Sequence, residues 1–509
     1  MDETDSPVAE KQPETDAISG LRERKIIWLF CLLAAVHVFI FSAAFPPINN
    51  VDESQHFDLV VKYSHGHLPQ SLEPTSNEAM DYIAIYASQE FFWSPEVFPG
   101  GKIPPPLWAL PPETMTPLLK TREAAWQHAN HESSQPPLYY ALAGFWWKAG
   151  QWLGFSHGRL FYWVRFLNIL FVAALIWLGY FASRMVFPEN IFLRLGVPAF
   201  LAFMPQSAFY SIGNDVLSPL VFGAVFVLLI YFFRADIPNI RVGAAVGLAL
   251  GTTFLTKMTN LPLLSVSAIF IALKIFRISK ERKLRATLPA LTALFFATLP
   301  AACWMVWCKI NFGDFTGSKL RMEHFGWTIK PVHDWWQHPI FTPLGLWTYL
   351  AGQLATFWQG EFWWHGAPLA WSATDALYTL ASLFLLVLAV AGLFQPSAGL
   401  TPAQRGALWF ALAAFTIELS FFALMSVIFD FHDCPNPSRE HPYFHAGRMM
   451  LGALIPFLLL FVYGIDRAMN RFGNRGKFLA LAVIILFMLV SEITTDWPAF
   501  SSQYNWFHM

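Results

Sequence analysis

The sequence predicts an all-α polytopic membrane protein, a bundle of about eleven transmembrane helices (roughly 10–13) with a long first extracytoplasmic loop carrying juxtamembrane helices. Three observations predict it. Hydrophobic residues make up 55% of the 509 and charged residues only 13%, where a soluble domain carries about 25% charged. Apolar runs of roughly 18 residues or more recur, each long enough to cross the hydrocarbon as a helix. The short connections between these runs are rich in Arg and Lys, as cytoplasmic loops are.

Taken in order, residues 1–25 are acidic, polar and proline-containing and read as a disordered cytoplasmic tail ending in Arg22, Arg24 and Lys25. The run 26–45 is too long for a signal-peptide core and lacks a small-residue cleavage site, so it is a retained first helix. Further spans fall at 163–185, 194–211, 216–233, 241–256, 260–275, 286–307, 374–394, 406–428, 449–465 and 478–492. The pair 241–256 and 260–275 is short for full crossings.

One more apolar stretch, 136–154, is settled by parity. The basic flank at 22–25 and the basic loop Lys274, Arg277, Lys280, Arg282, Lys283, Arg285 both belong inside. An odd number of crossings must join residue 46, outside, to that loop. This holds only if 136–154 does not cross, and its Tyr139, Tyr140, Trp146, Trp147 and Trp152 suit the outer interface. The same parity places Arg184 with Arg194, Arg234 with Arg241, and Arg467, Arg471, Arg475 and Lys477 inside.

The organisation that follows is a module 26–307 containing the extracytoplasmic loop 46–162, a second outer loop 308–373, and a C-terminal membrane region 374–509. A third outer segment is 429–448, and the chain from Glu492 lies outside. Pro95, Pro99, Pro104 to Pro106, Pro111 and Pro112 favour an extended path in the first loop. There is no internal repeat. Net charge is −1 and no basic tract points to nucleic acid. The cysteines, Cys31, Cys303, Cys308 and Cys434, form neither a disulfide framework nor a zinc pattern, and leave open a Cys308–Cys434 bridge on the outer face.

Polar residues converge on that face. Asp52 and Glu53 follow the first helix, where a charged acid is costly and persists mainly for chemistry or binding. Asn214 and Asp215 sit in the connection between 194–211 and 216–233, Lys257 in the next outer turn, and Arg448 where the span 449–465 begins. Carboxylates and two cations at one depth suit a general base, a metal site and a cradle for phosphate. Each has a plainer reading: Asp52 and Glu53 as a solvated cap, Asp215 as a helix cap, Lys257 snorkelling, Arg448 as an anchor.

His432, Asp433, Cys434, His441 and His445 cluster in the third outer segment without standard zinc spacing, and read as structural. His65 and His67 flank Gly66 as turn residues. Trp335, Trp336, Trp347, Trp358, Trp363, Trp364 and Trp371, with Glu361 among them, form an interfacial belt or a surface for lipid or sugar.

The ordered set of features resembles a known family. Asp52-Glu53 with His56 and Gly66-His67-Leu68-Pro69 is followed by Gln135-Pro136-Pro137-Leu138-Tyr139-Tyr140. Then come Met204-Pro205, Ser211-Ile212-Gly213-Asn214-Asp215 and Leu255-Thr256-Lys257, with looser likeness at Gly313-Asp314 and Phe444-His445-Ala446-Gly447-Arg448. The pattern is similar to the GT-C superfamily of polytopic glycosyltransferases, in the branch of the protein O-mannosyltransferases and the lipid A aminoarabinose transferase. The resemblance implies a polyprenyl-phosphate-linked sugar donor and an extracytoplasmic acceptor, whether glycan, lipid or protein. It implies catalytic roles for Asp52, Glu53 and Asp215, and substrate contacts from His56, Tyr139, Asn214, Lys257 and Arg448. A divalent cation, Mg or Mn, would belong at Glu53 and Asp215. The chain departs from the family at Ser133-Ser134-Gln135, where relatives often carry a basic residue, and in having Asn214-Asp215 in place of Asp-x-Asp.

The function expected on these grounds is inverting sugar transfer outside the cytoplasmic membrane of a bacterium. A lipid-linked saccharide flippase and a non-catalytic polysaccharide assembly subunit are the alternatives.

Overall fold

The computed structural model describes residues 12–278, 280–396, 399–432 and 442–509. Helix α1 (Gln12–Ala44) enters from the polar N-terminal side, so helix already forms within the segment expected to be a disordered tail. The first loop then holds α2 (Glu53–Ser64), α3 (Asn77–Tyr86), α4 (Pro112–Trp126) and α5 (Leu138–Trp152). Its prolines do not enforce an extended path throughout. Pro95 and Pro99 open short 3-10 turns and Pro112 opens α4, because the first helical position needs no backbone donor.

The membrane part continues with α6 (His157–Val186), α7 (Ile191–Ala202), α8 (Ser218–Arg234), α9 (Ile240–Thr256), α10 (Leu261–Arg277) and α11 (Lys280–Phe312). The long connection 308–373 carries α12 (Ser318–Phe325) and α13 (Pro343–Gln359). The C-terminal part is α14 (Ser372–Phe394), α15 (Pro402–Ile428), α16 (Leu454–Ala468), α17 (Gly473–Thr495) and α18 (Trp497–Ser501). Among the described residues nine helices are long and apolar enough to cross a membrane, and α7 and α9 are shorter apolar helices. The protein is an all-α, multi-pass membrane protein. Among the described residues there are also four two-residue strands. β1 (Thr328–Ile329) pairs antiparallel with β4 (Phe429–Asp430), and β2 (Trp363–Trp364) with β3 (Ala367–Pro368).

The stretch 136–154 is α5, and it does not figure among the long apolar helices. Its 15 residues reach about 22 Å, short of the ~30 Å of hydrocarbon. Its aromatics are not all at an interface. Tyr139, Tyr140 and Trp147 are fully buried, while Phe145 and Trp152 are exposed. Trp146 stacks on Trp163 at 4.4 Å, and each indole donates to the other's backbone carbonyl at 2.8 Å.

The expected span 194–211 is corrected. Helix α7 stops at Ala202, and residues 203–217 leave the α-helical conformation for a loop with 3-10 turns at Ser207–Phe209 and Asn214–Val216. Pro205 disfavours helix at Met204 and removes a donor. Side chains take over the freed backbone groups: Asn168 Nδ2 donates to Phe209 O and Ser211 O at 3.2 and 2.8 Å. Tyr210 donates to Glu492 and lies 3.2 Å from His37 Nε2.

The connections α6–α7, α8–α9 and α16–α17 gather at one end. There Arg194 pairs with Glu23 at 2.5 Å, Lys477 with Asp466 at 2.7 Å, and Asn190 donates to Asp466 at 3.3 Å. Helix α16 is buried along nearly its whole length and forms the bundle's axis. Helix α9 lies flush on α11 because Gly243, Gly247 and Gly251 recur every four residues; a Cβ there would stand 2.2 Å from Pro289 O, 2.4 Å from Ala293 O and 3.0 Å from Phe296 O. At the opposite end the segment after α18 straps the first loop, with Tyr504 donating to Pro104 O at 2.8 Å.

Among the described cysteines, Cys31, Cys303 and Cys308 are free thiols. Cys434, Asp433 and His441 lie outside the described residues. His432 faces Thr328 and Asp430, and His445 is buried. His65 and His67 pair with Glu78 and Glu73 at 2.6 and 2.7 Å around Gly66, as turn residues do. Of the tryptophans, Trp336 and Trp371 are exposed, whereas Trp358 is a core residue bonded to Ser382.

Candidate functional site

Just past α1 the backbone makes two unusual turns. Ile48 and Asp52 adopt left-handed conformations at φ 57° and 61°, a region L-residues avoid by roughly 1–2 kcal/mol. The second turn makes Asp52 the residue before α2 without using its carboxylate as a cap. Asp52 and Glu53 therefore project to different places.

Glu53 is fully buried and both its oxygens are occupied. Arg165 Nε and Nη2 grip them at 2.8 and 2.6 Å, and the Ile212 N–H donates to one at 2.9 Å. The remaining Arg165 donors bind the carbonyls of Ser42, Phe45 and Pro46 at 3.1, 2.5 and 2.8 Å. This corrects the expectation for Glu53: it is neither with the other acids nor open to a metal. It rivets the end of α1 to α6 and to the 203–217 loop.

Asp52 faces the other acids through Arg448, which lies on the 3-10 stretch Gly447–Ala453 leading into α16. The guanidinium spreads its donors over three carboxylates. Nε donates to Glu361 at 2.6 Å, Nη1 to Asp215 at 2.6 Å, and Nη2 to Asp52 at 2.9 Å. The planar guanidinium directs a separate nitrogen at each of the three acceptors. Lys257, at the end of α9, donates to the other Asp215 oxygen. Arg448 reaches this point because Gly447 presses on α13; a Cβ there would stand 2.2 Å from Gln353 O and 2.3 Å from Phe357 N.

The third wall comes from residues 130–135. His131 Nε2 lies 3.2 Å from Asp52 Oδ1 and 3.7 Å from Glu132 Oε1. Gln135 donates to Glu132 Oε2 and accepts from Asn214 Nδ2 at 3.1 Å, which ties this wall to the loop holding Asp215. Asn214 Nδ2 also donates to Thr256 O at 3.2 Å, beside Lys257, while its buried Oδ1 has no partner among the described residues. His56 Nδ1 lies 2.8 Å from the Tyr140 hydroxyl, and Gly213 N–H donates to the Tyr139 hydroxyl at 3.1 Å. Tyr139 thus supports the loop from behind, with no exposed surface to offer a substrate. Arg321 of α12 approaches Glu132 Oε1 at 3.5 Å from above.

The electrostatics follow from this crowding. Burial works to raise the Asp52 carboxyl, but the hydrogen bond and charge of His131, then Arg448 and His56, hold it well below the usual carboxylate range. Glu132 behaves alike: burial is overcome by Arg321, His131 and His56. Burial pushes the His56 imidazole down, against the pull of Glu132 and Asp52. Burial likewise lowers the Lys257 ammonium, opposed by Asp215 and assisted by Arg448.

The structure therefore unites Asp52, Asp215, Lys257, Arg448, Asn214 and His56, keeps Tyr139 as support, and leaves Glu53 aside. It adds His131, Glu132 and Glu361. Their partners lie far off in sequence. For His131 and Glu132 the available signal was a His-Glu pair just ahead of Gln135-Pro136-Pro137. For Glu361 it was a lone acid in an aromatic loop. The cation site expected at Glu53 and Asp215 is not formed. Instead one ligand atom each of Asp52, His131 and Glu132 lie within 4.8 Å of one another. Two carboxylates and an imidazole are donors that suit a divalent ion.

No family model and no curated protein matches the sequence. Solved structures do. The Archaeoglobus fulgidus oligosaccharyltransferase in complex with Zn and sulfate aligns with a TM-score of 0.47 at 10% identity, over 92% of this chain and 53% of that one. The same organism's oligosaccharyltransferase with an inhibitory peptide and a dolichol-phosphate gives 0.39 at 11%, over 93% and 56%. ArnT from Cupriavidus metallidurans, bound to undecaprenyl phosphate, gives 0.33 at 13%, over 87% and 79%. The chain spans about half the length of the oligosaccharyltransferase.

Proposed function

We propose that the protein transfers a sugar from a polyprenyl-phosphate donor to an extracytoplasmic acceptor (glycan, lipid or protein), with inversion at the anomeric carbon. The single observation that carries the reading is Arg448 held against Asp52, Asp215 and Glu361, with Lys257 alongside, at one end of a membrane bundle. A donor with a charged head and a long apolar tail reaches such a place from within the bilayer. The basic connections gathered at the opposite end support an N-terminus inside and the site outside a bacterial cytoplasmic membrane.

In this reading the acceptor hydroxyl approaches the ionised Asp52 carboxylate and gives up its proton there as oxygen attacks the anomeric carbon. The bond from that carbon to the phosphate oxygen breaks, and the leaving phosphate gains charge. Lys257 and Arg448 meet that charge, with Asp215 and Glu361 fixing their direction. His56 and Asn214 line the same space. Asp52, His131 and Glu132 would hold a divalent cation, Mn or Zn suiting the imidazole better than Mg, and the ion would supply positive charge near the phosphate.

The test is envelope glycan mass spectrometry in cells lacking the protein. A sugar unit should vanish, return with the wild-type chain, and stay missing with Asp52→Asn at equal membrane level. Full restoration by Asp52→Asn would overturn the assignment.

A further inference from the structure

Glu132 has one Arg or Lys partner among the described residues, and it comes from the second outer loop. That loop's helix, α12, has no buried residue, and glycines in the left-handed conformation flank it, Gly317 at φ 64° and Gly326 at φ 70°. Gly317 rests on residues 130–135: a Cβ there would stand 2.5 Å from Ser134 Cβ. From this seat α12 roofs the third wall. The Phe325 ring meets the His131 ring edge-on at 4.8 Å, His324 stacks on it at 6.2 Å, and Arg321 Nη1 points at Glu132 Oε1.

That oxygen is the one a cation would need. Glu132 Oε2 is taken by Gln135, and Asp52 Oδ2 by Arg448. Asp52 Oδ1, His131 Nε2 and Glu132 Oε1 remain facing one another. An ion bound to Glu132 Oε1 lies about 2.1 Å from it. The guanidinium is 3.5 Å from the same oxygen, so the two positive groups would be within about 6 Å in a site partly shielded from water.

We propose that Arg321 is a built-in counter-ion that α12 lends to Glu132 when the site holds no metal, and that metal binding expels it and lifts α12 about its two glycine hinges. The inference rests on reading Asp52, His131 and Glu132 as a cation site. Closed, α12 neutralises Glu132 and shuts the roof over His131. Opened, it exposes the third wall where the acceptor would arrive. Occupancy by metal and closure by α12 are then competing states of one switch, and each must weaken the other.

The experiment uses the full-length protein in detergent with Mn²⁺ alone, followed by electron paramagnetic resonance for binding and by hydrogen–deuterium exchange over 318–325. Mn²⁺ should accelerate exchange in α12 of the wild type. Arg321→Gln should bind Mn²⁺ about tenfold more tightly, within the roughly 5–150-fold range of coupled sites, with α12 exchange fast before any metal is added. Arg321→Lys should behave as wild type. Equal or weaker Mn²⁺ binding by Arg321→Gln, or an α12 that ignores Mn²⁺, overturns the switch while leaving the cation site standing. No Mn²⁺ binding by any variant removes both, and leaves the proton-accepting role of Asp52 untouched.

Discussion

Two adjacent acids should fail in opposite ways. Glu53→Gln replaces a carboxylate that accepts two Arg165 bonds, at 2.8 and 2.6 Å, and the Ile212 N–H at 2.9 Å. The amide nitrogen cannot accept, so one Arg165 donor or the loop amide loses its partner. Arg165 keeps its charge with its side chain fully buried. Removing one member of a buried pair costs about 3–5 kcal/mol. A net stability of about 5–15 kcal/mol makes that a severe loss. Asp52→Asn differs. Its side chain is 21% exposed, asparagine tolerates the left-handed conformation well and keeps an oxygen that accepts from Arg448, and Arg448 retains two other acids, so less is at stake than at Glu53. The assay is thermal unfolding in detergent, monitored by size-exclusion recovery after heating, with transfer measured on the folded fraction. Glu53→Gln should unfold at clearly lower temperature, and its surviving folded fraction should retain transfer. Asp52→Asn should unfold at a clearly higher temperature than Glu53→Gln and be inactive. A Glu53→Gln protein as stable as wild type would refute the rivet.

The remaining predictions concern the neighbouring groups. Lys257 has a lowered folded-state proton affinity, so its cation is present below that value and lost as pH rises through it, short of the ordinary 10.5. Transfer should show an alkaline limb at that lowered pH, and Lys257→Arg should move the limb upward in a pH–rate profile. Gly447→Ala places a methyl 2.2 Å from Gln353 O and displaces Arg448; transfer should drop by a factor of about 100 or more, the scale of a misplaced catalytic group, while membrane insertion is retained. Glu361→Gln removes one of three charge partners of Arg448. It should lower transfer with little change in acceptor KM, since Glu361 orients Arg448 and does not face the acceptor. Tyr139→Phe removes the acceptor for Gly213 N–H and should cost about 1 kcal/mol of stability, read as a lower unfolding temperature.

The crossings were legible because apolar runs of bilayer length and short basic connectors are properties of the chain itself. The parity of those connectors led to the expectation that 136–154 does not cross, and α5 is not among the helices long and apolar enough to do so. The span 194–211 misled because its composition stays apolar past Ala202, while Met204-Pro205 ends the helix through a backbone effect that hydropathy does not register. Asp52 and Glu53 were indistinguishable as neighbours; their separation depends on the left-handed turn at Asp52 and on Arg165. A clue to the latter was present, since an arginine inside the apolar run 163–185 requires a partner. His131, Glu132 and Glu361 became site members through contacts with Asp52, Arg321 and Arg448, pairings 79, 189 and 87 residues apart in sequence. No local pattern encodes such pairings.

The most direct measurement follows free polyprenyl phosphate. Purified protein, a polyprenyl-phosphate-linked sugar pool and extracytoplasmic membrane acceptor are combined, and the released lipid phosphate is quantified by mass spectrometry. The account predicts acceptor-dependent release by the wild type and none by folded Asp52→Asn. Movement of intact donor across the bilayer without release, or equal release by the two proteins, would contradict it.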